Sequence, residues 1–376
     1  MTSSKPRYRN ILVFVQRLMY TPQGKRRILQ FCLICFMLSL SMICFHRIVT
    51  HPRFHTNDEK SHFEKSRTIV IVIGSLRGGE VTWKTMYKNL LDANDADLAL
   101  VIGENPKKAS SMYQRAKYIH EFKEYDDWAE ALDQINGTSW RKTIYPYVNV
   151  TPNPKKYWSF FLGGVGQIGG SGAIHFMARY YVEQLINKEH LLEKYDRFIV
   201  TRSDHYYMCK HDLSLYDNKY IWIPKHEDYF GICDRHVMAN STIIMKVLDV
   251  LPHLINNVEQ YNPELRRGYF KYMDPESFLK YYWQKQGILP WIRRANRCQF
   301  TVKSNEDKTR GSTGVGHSID ENIQSLGLTI KYTPEFYATE CHCKKGWAYS
   351  SANWKDQKRG WCLPRNFFTK VLYRVQ

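Results

Sequence analysis

One stretch, "RTIVIVIGSLRGGEVTWKTMYKNLLDANDADLALVIG" (Arg67–Gly103), constrains the fold more than any other part of the chain. It opens on a continuous β-branched run, Ile69–Ile73, of the kind found in parallel strands that are covered on both faces. Helical periodicity follows at Val81–Leu91, and a second apolar run comes at Leu98–Ile102. A strand, a glycine-bearing loop, a helix and a strand predict a βαβ unit, and therefore an α/β domain that binds ligands at the carboxyl ends of its strands.

The alternation of strands and helices continues toward the C-terminus. Ser171 is placed to cap a long amphipathic helix that runs to about Tyr195 and leads into a strand at Phe198–Val200. The remaining predicted elements are a short strand at Tyr220–Ile223, helices at Thr242–Glu259 and Asp274–Gln286, and a strand at Leu328–Tyr332.

A hydrophobic segment near the N-terminus predicts a membrane anchor. Ile28–Phe45 has 18 residues and no charge, which is the short end of what crosses a bilayer as a helix. Seven basic residues and no acidic residue precede it. Because positively charged flanks stay on the cytosolic side of a membrane, we predict a cytosolic tail at 1–27 and a luminal location for everything after residue 45. A cleaved signal peptide and a buried core helix are the alternatives. We therefore expect a signal anchor at 28–45, a stem at 46–66 and a luminal domain at 67–376.

Cysteine usage fits an oxidising compartment. Six cysteines follow the hydrophobic segment, an even number suited to disulfides: Cys209, Cys233, Cys298, Cys341, Cys343 and Cys362. The "CHC" at 341–343 suggests zinc, but the usual two-residue spacer is missing and no second pair follows at finger spacing, so disulfides are favoured. Glycosylation sequons at Asn136, Asn149 and Asn240 are compatible with luminal exposure.

The chain is strongly basic. Its formal net charge is +18, and seven of these charges belong to the predicted cytosolic tail. In a nuclear protein such a charge would suggest nucleic acid as the partner. Beyond a membrane we expect no nucleic acid, and the anions to consider are nucleotide-linked donors, acidic glycans and lipid head groups. A solvated basic surface with no ligand is the alternative.

The middle of the chain contains "YDRFIVTRSDHYYMC" (Tyr195–Cys209), in which a buried-type strand ends in charged side chains. Asp204 follows that strand directly, with Arg202 and His205 beside it. We expect the strand end to present Asp204 to solvent at the ligand-binding edge of the sheet. A carboxylate there is able to hold a divalent cation, and hard oxygen ligands suit magnesium or manganese.

Four blocks of the sequence resemble a group of glycosyltransferase-like proteins with a GT-A-type architecture, found notably in algae and large DNA viruses. The blocks are "VIGSLRG" with the following "YKNLL" and "ADLALVIG", "YDRFIVTRSDHYY", "IWIPKHEDYFGICDRHVMA" and "DPESFLKYYWQKQGI". They span most of Arg67 to about Ile288. "TRSDHY" is a degenerate form of the acidic "DxD" motif of GT-A enzymes, in which a carboxylate and a divalent cation hold the diphosphate of a nucleotide sugar.

The resemblance implies a GT-A-like, Rossmann-type central sheet with flanking helices, preceded by one transmembrane helix. It implies a Golgi membrane protein of type II that transfers a sugar from a nucleotide-sugar donor to a glycan or glycoprotein acceptor, with manganese or magnesium as cofactor. On this interpretation residues 67–205 form the nucleotide-sugar half, and 206–376 form the acceptor half with a cysteine-rich tail.

Donor-binding residues are predicted in the first two blocks. Gly74 allows backbone amides to approach a ligand, and Arg77 is placed to reach a phosphate or a uracil carbonyl. Asp204 is predicted to contact the metal or the diphosphate, with His205 as a second metal ligand. Arg202 is assigned to donor binding as well. The alternatives are a plain βα turn with a solvated Arg77, and an Asp204 that pairs with Arg202 and ends the strand.

Acceptor-side and loop residues are predicted from the later blocks. In the resembling family the "GICDRH" segment lines the sugar and acceptor side, so Asp234 is expected to hold sugar hydroxyls and Arg235 to orient it or to meet the donor phosphates. Glu276 is the predicted catalytic base, with Asp234 as the other contender. The alternative role of Glu276 is to complement the dipole of a helix whose N-cap is Asp274. The basic loop at 308–317 offers Arg310 and His317 as phosphate or metal partners.

Two rival functions remain open. A luminal sulfotransferase would share the topology, the basic charge and a glycine-bearing loop after the first strand, but its donor site needs no cation. A non-catalytic sugar-binding relative is the other rival, because the motif has a single acid. Under the leading interpretation, Asp204→Asn is expected to abolish manganese-stimulated activity and to leave the fold intact.

Overall fold

A computed structural model describes residues 67–104, 108–145, 161–166, 168–233, 235–261, 263–264, 273–307, 317–345, 348–350 and 361–363. The predicted tail, membrane span and stem at 1–66 lie outside the described residues, as do Asn149, Asp234 and Arg310. Within the described part of the chain, no helix is both long and apolar enough to cross a membrane.

The strands of the described residues form a large sheet, a small sheet and a two-stranded ribbon. The strands are β1 Thr68–Gly74, β2 Asp97–Gly103, β3 Tyr118–Phe122, β4 Arg197–Arg202, β5 His205–Tyr207, β6 Ile221–Pro224, β7 Val237–Asn240, β8 Ile292–Ala295, β9 Gln299–Ser304, β10 Leu328–Ile330, β11 Ala348–Ser350 and β12 Trp361–Leu363. The large sheet has seven strands in the order β3-β2-β1-β4-β7-β6-β8. The first four are parallel to one another, β7 is antiparallel to both of its neighbours, and β8 is parallel to β6.

Helices pack against the large and small sheets. They are α1 Gly79–Met86, α2 Ser111–Arg115, α3 Ala129–Asn136, α4 Ser139–Ile144, α5 Gly172–Lys188, α6 Leu191–Lys194, α7 Ile244–Leu248, α8 Leu251–Asn256, α9 Pro275–Lys285, α10 Glu321–Ser325 and α11 Thr333–Lys345. A π-helical segment, Tyr87–Leu91, and a turn, Asp92–Asn94, extend α1 toward β2.

The alternation of side chains along β1 explains why both faces of the sheet are covered. Ile69 and Ile71 belong to a hydrophobic cluster that includes the buried face of α5, whereas Val70 and Val72 belong to a second cluster with the buried residues of α1. A strand in which both sets of side chains are buried needs the continuous β-branched run that the sequence has. The prediction of a mixed α/β domain with a largely parallel central sheet is therefore confirmed.

The small sheet has the order β10-β9-β5 and extends the carboxyl side of β4. Two residues, Ser203 and Asp204, separate the end of β4 from the start of β5. β5 pairs antiparallel with β9, and His205 lies opposite Thr301. Helix α11 packs against β9 and is tied to β5 by a disulfide between Cys209 and Cys343. Cys341 is also disulfide-bonded, whereas Cys233 and Cys298 are buried thiols. The described cysteines therefore include both disulfides and thiols.

Several local predictions need correction. The helix predicted at Thr242–Glu259 is split into α7 and α8 around Asp249, which has a non-helical ψ of 72°. Ser171 occupies the position before α5, but its side chain makes no capping hydrogen bond. The sequence patterns predict none of the strands β3, β5, β7, β8, β9, β11 and β12. The central sheet takes strands from both sides of residue 205, so the two predicted halves share one sheet.

Candidate functional site

The candidate site lies where β1 and β4 end side by side. From β1 the sheet continues to β2 on one side and to β4 on the other, so the strand order reverses here. Open α/β sheets bind ligands at such a point, outside the carboxyl ends of the strands. Gly74 ends β1 with a φ of 91°, a conformation that glycine adopts without steric cost.

The loop after β1 packs directly on the end of β4. The backbone N–H of Arg77 donates to Ser203 Oγ at 2.8 Å, and the Ser203 hydroxyl donates to the carbonyl oxygen of Ser75 at 2.9 Å. Gly78 has a φ of 80°, and a Cβ there would stand 3.2 Å from the Cα of Asp204. These contacts hold the Arg77 loop against the segment that carries Asp204.

Asp204 is buried, and its carboxylate is paired with Arg202. The side chain of Arg202 donates from Nε to Oδ1 at 2.8 Å and from Nη2 to Oδ2 at 2.6 Å. Only 2% of Asp204 is exposed, because β9 covers it: the Val302 N–H donates to the Asp204 carbonyl at 2.9 Å. Burial alone would raise the pKa of Asp204, but Arg202 outweighs burial and lowers it. The expectation that Asp204 faces solvent is therefore wrong.

Lys331 follows β10 and brings a further cation to this pair. Burial and the neighbouring Arg202 lower the pKa of Lys331 to about 8, with additional repulsion from Arg77 and Arg235 and an opposing attraction from Asp204. Burial is the largest cause of this shift, and the neighbouring arginines add to it because like charges disfavour the protonated lysine. Neighbouring cations of this kind favour the binding of an anion.

Arg77 belongs to the same cluster. Burial lowers its pKa, Arg202 lowers it further, and Asp204 acts in the opposite direction. Asp307 and Glu124 also attract Arg77, but more weakly than Asp204 does. We call Arg77, Arg202 and Lys331 the cation cluster; each of them interacts electrostatically with Asp204, which is hydrogen-bonded to Arg202.

Arg235 lies at the centre of a second group of charges. Its Nη1 is 3.2 Å from Glu335 Oε1, its Nη2 is 3.8 Å from Glu276 Oε1, and Nη1 is 3.9 Å from Glu227 Oε2. The guanidinium stacks over the ring of Tyr332 at 4.0 Å from the centroid. Arg235 therefore gathers three carboxylates that come from three distant segments of the chain.

Glu335 is the most deeply buried of these acids. It is 0% exposed, and its Oε2 accepts the backbone N–H of Thr301 at 2.8 Å and the Thr301 hydroxyl at 2.7 Å. Its other oxygen lies 3.1 Å from Nη2 of Arg297. Burial would raise the pKa of Glu335, but Arg297 and Arg235 outweigh it and lower the pKa to about 2.

The loop between β6 and β7 is strained and carries exposed aromatic rings. His226, Glu227 and Tyr229 have positive φ values of 71°, 57° and 49°, a region that such residues rarely occupy and that is enriched at functional sites. Phe230 is 80% exposed. Burial raises the pKa of Glu227, and Arg235 opposes this only in part. The loop thus carries both an acid of raised pKa and exposed aromatic side chains.

Gly231 sets the distance between this loop and α9. The Ile232 N–H donates to the Glu276 carbonyl at 3.1 Å, and a Cβ on Gly231 would overlap that carbonyl. The start of α9 is as predicted: the carboxylate of Asp274 accepts the Ser277 N–H at 2.7 Å. The close backbone approach therefore brings Glu276 beside Arg235.

Substitution of Gly231 by alanine is expected to destabilise the protein. The new Cβ would meet the Glu276 backbone, which is held by the helix and has no room to retreat. Overpacking of this kind costs about 1–3 kcal/mol. Chemical denaturation of Gly231→Ala and of Gly169→Ala, where a Cβ meets nothing within 4 Å, measures the difference. Equal stability of the two variants would contradict the assignment.

The predicted metal ligands are not brought together. His205 is fully buried, its Nδ1 is 3.0 Å from Thr201 Oγ1, and its ring neighbours that of His236 rather than an open site. His317 is exposed and bridges to β10 through its backbone. Among the described residues, Asp204, His205 and His317 do not form a cluster of ligand atoms. Both oxygens of Asp204 are engaged by Arg202, so these residues do not fit a metal site.

The structure places six of the residues predicted from sequence around the ends of β1 and β4 or at Arg235: Gly74, Arg77, Arg202, Asp204, Arg235 and Glu276. Four charged residues that lie in the same two groups are not predicted from the sequence: Glu227, Arg297, Lys331 and Glu335. Lys331 had a signal, because it follows an apolar strand as Asp204 does. Glu335 had none, since its position after Pro334 reads as an ordinary first-turn acid.

Comparisons with known proteins identify solved structures of similar fold but no family. No protein-family model matches the chain, and no curated protein matches it. Among solved structures, the chain is similar to the apo form of mouse xyloside xylosyltransferase 1, with a TM-score of 0.33 and 12% sequence identity over 61% of this chain and 85% of that chain. A similarity at this level carries no argument about activity, so function must be inferred from the site itself.

Proposed function

We propose that the protein is a glycosyltransferase that uses a nucleotide-sugar donor. The observation that carries this proposal is the cation cluster of Arg77, Arg202 and Lys331 at the carboxyl ends of β1 and β4. Its cations outnumber the carboxylate paired with them, which favours an anionic ligand such as a diphosphate. Helix α1 begins at Gly79 at the same edge, and its N-terminus adds a favourable dipole.

The cation cluster supports the chemistry of the leaving group. In sugar transfer, the bond from the anomeric carbon to the diphosphate oxygen breaks and the diphosphate leaves with the electron pair. Fixed positive charges stabilise the negative charge that develops there. Because the predicted metal ligands do not fit a metal site, we assign this role to the arginine and lysine side chains.

The acceptor side is assigned to the group of charges around Arg235. A carboxylate must take the proton of the acceptor hydroxyl as the new glycosidic bond forms. Glu276 and Glu227 lie 3.8 Å and 3.9 Å from Arg235, and Asp234 immediately precedes it in the chain. Exposed Phe230 supplies an apolar ring against which a sugar of a glycan or glycoprotein acceptor packs.

Turnover tests the proposal directly. The full-length chain is incubated with nucleotide sugars and glycan acceptors, with and without manganese, and release of nucleoside diphosphate is measured. We expect release without added metal, and a large loss in Glu276→Gln or Glu227→Gln. Failure to turn over any nucleotide sugar, together with no binding of nucleoside diphosphates, would refute the proposal.

Lys331 gives the proposed binding step a specific pH dependence. A bound diphosphate favours the protonated lysine, so affinity is expected to fall as the pH rises through about 8, the pKa of Lys331 in the free protein. Lys331→Met should weaken binding at neutral pH by roughly 10- to 100-fold, the value of a charge-assisted hydrogen bond, and should remove the pH dependence. Titration calorimetry measures the affinity and its pH dependence. Lys219→Met is the control, because Lys219 is exposed and pairs with Asp217. An unchanged pH profile in Lys331→Met would contradict the assignment.

A sulfotransferase is the second candidate, because a cation cluster without an assembled metal set also suits an anionic donor that needs no metal. The two functions separate by donor. Stabilisation by a nucleotide sugar supports the glycosyltransferase, and stabilisation only by a sulfated or phosphorylated adenosine nucleotide supports the sulfotransferase.

We also propose that the chain is anchored in the Golgi membrane by residues 28–45. The support is the uncharged segment and the basic residues before it. Protease protection of the luminal domain in sealed vesicles tests this orientation, and digestion from the cytosolic side would contradict it.

A further inference from the structure

A group of sulfur and nitrogen atoms lies beside the small sheet, at the ends of β5 and β9. Cys209 follows β5 and Cys298 precedes β9. The two strands pair with Tyr207 opposite Gln299, and the Met208 N–H donates to the Cys298 carbonyl at 2.9 Å. The pairing of β5 with β9 therefore brings two cysteines together that are far apart in the chain.

Helix α11 adds an imidazole to these cysteines. The Thr339 hydroxyl donates to the Gln299 carbonyl at 2.9 Å, which holds α11 against β9. One turn further on, His342 reaches the same place: its ring nitrogen and the Sγ atoms of Cys209 and Cys298 all lie within 4.8 Å of one another. Among the described residues this is the one group of three histidine, cysteine or acidic side chains gathered so closely.

A fourth donor is present in the disulfide. Cys343 is bonded to Cys209, so its sulfur lies beside the same group. Three cysteines and one histidine are a donor set typical of structural zinc, whose ligands are thiolate sulfur and imidazole nitrogen. Magnesium and calcium prefer oxygen ligands, so this set discriminates against them.

We propose that reduction of the Cys209–Cys343 disulfide creates a binding site for a divalent transition metal of the zinc class. A dithiol or phosphine reductant supplies two electrons, and two protons complete the thiols of Cys209 and Cys343. The metal then displaces the thiol protons and is held by Cys209, Cys298 and His342, with Cys343 as the fourth ligand. This site is independent of the proposed sugar transfer and takes a different class of metal.

The site would maintain the same mechanical connection in either redox state. The disulfide ties α11 to the segment after β5, and a bound metal would tie the same helix to β5 and β9. Glu335, at the start of α11, holds Arg235 and Arg297. The charges around Arg235 would therefore keep their geometry both in an oxidising and in a reducing compartment.

Cobalt binding to the full-length chain tests the proposal, because Co²⁺ reports thiolate ligands by its absorption. The chain is reduced with a phosphine, the phosphine is removed, and Co²⁺ is titrated without oxygen. We expect one Co²⁺ per reduced chain with a thiolate-to-cobalt charge-transfer band, competition by Zn²⁺, and no such band for the oxidised chain. Cys298→Ser and His342→Ala should each weaken binding at least about 10-fold, the lower limit even for loss of an outer-shell partner.

Cys233→Ser is the matched control, since Cys233 is the other buried thiol and lies outside the group. It should bind cobalt as the wild-type chain does. A thermal transition of reduced Cys298→Ser, compared with that of reduced wild type, shows whether the variant is folded in the form that is titrated with cobalt. Absence of cobalt binding by the reduced wild-type chain would overturn the proposal, and so would equal binding by folded Cys298→Ser.

Discussion

Replacement of Glu335 by glutamine is expected to lower the free energy of unfolding by about 3–5 kcal/mol, the usual consequence of breaking a buried ion pair. The wild-type carboxylate has no exposure and is shared by Arg235 and Arg297. Glutamine keeps the shape but leaves two buried guanidinium groups without that negative charge. It also weakens the acceptor for the Thr301 N–H and hydroxyl. Urea denaturation of the two chains measures the loss.

Glu340→Gln is the control on the same helix. Glu340 pairs with Lys344 at 2.7 Å, but its side chain is 28% exposed and that of Lys344 is 54% exposed. Surface pairs of this spacing contribute about 0.3–0.5 kcal/mol. If Glu335→Gln costs no more than Glu340→Gln, the central role of Glu335 is wrong.

The loss in Glu335→Gln should depend on pH in one direction. The pKa of Glu335 falls from an ordinary value of 4.5 to about 2 on folding, so the folded chain gains stability from the ionised form. That gain is complete above the unfolded pKa and disappears as the pH falls through about 2. The stability difference between wild type and Glu335→Gln should therefore be constant near neutral pH and shrink between about pH 4.5 and 2. A difference that grows on acidification would contradict this.

Replacement of Asp204 by asparagine is the second large effect. We expect a loss of about 3–5 kcal/mol, because Arg202 is buried and loses its counter-charge while Arg77 and Lys331 remain close. This reverses the expectation from sequence that the variant keeps its fold. Asp92→Asn is the control, since Asp92 pairs with Arg115 at the surface with 56% of its side chain exposed. Thermal unfolding of both variants gives the comparison.

A ligand experiment on Asp204→Asn separates the two roles considered for this carboxylate. If the cation cluster binds the donor diphosphate, a nucleoside diphosphate should raise the melting temperature of Asp204→Asn more than that of wild type, because the anion replaces the missing charge. The shift should not require manganese. If instead the variant is as stable as wild type and loses only a manganese-dependent shift, Asp204 is a metal ligand, as its sequence motif suggested.

The local parts of this fold were predictable because short-range chemistry determines them. The β-branched run of β1 requires cover on both faces, and Asp274-Pro275 specifies the start of α9 whatever lies nearby. The failures were elements that depend on partners. β5 has three residues and pairs only with β9 in the small sheet, and β9 has a mixed pattern and is paired on both sides by β5 and β10.

The site divides in the same way. The sequence by itself determined that an acid, a cation and a glycine-bearing loop would meet at the carboxyl ends of β1 and β4, because parallel strands end at one edge of a sheet. Only the tertiary structure decided that Asp204 is buried under β9 and bound to Arg202, and that Lys331 and Glu335 arrive from more than one hundred residues away. Burial and charge pairing depend on which segments pack together, and a linear pattern of residue types does not contain that information.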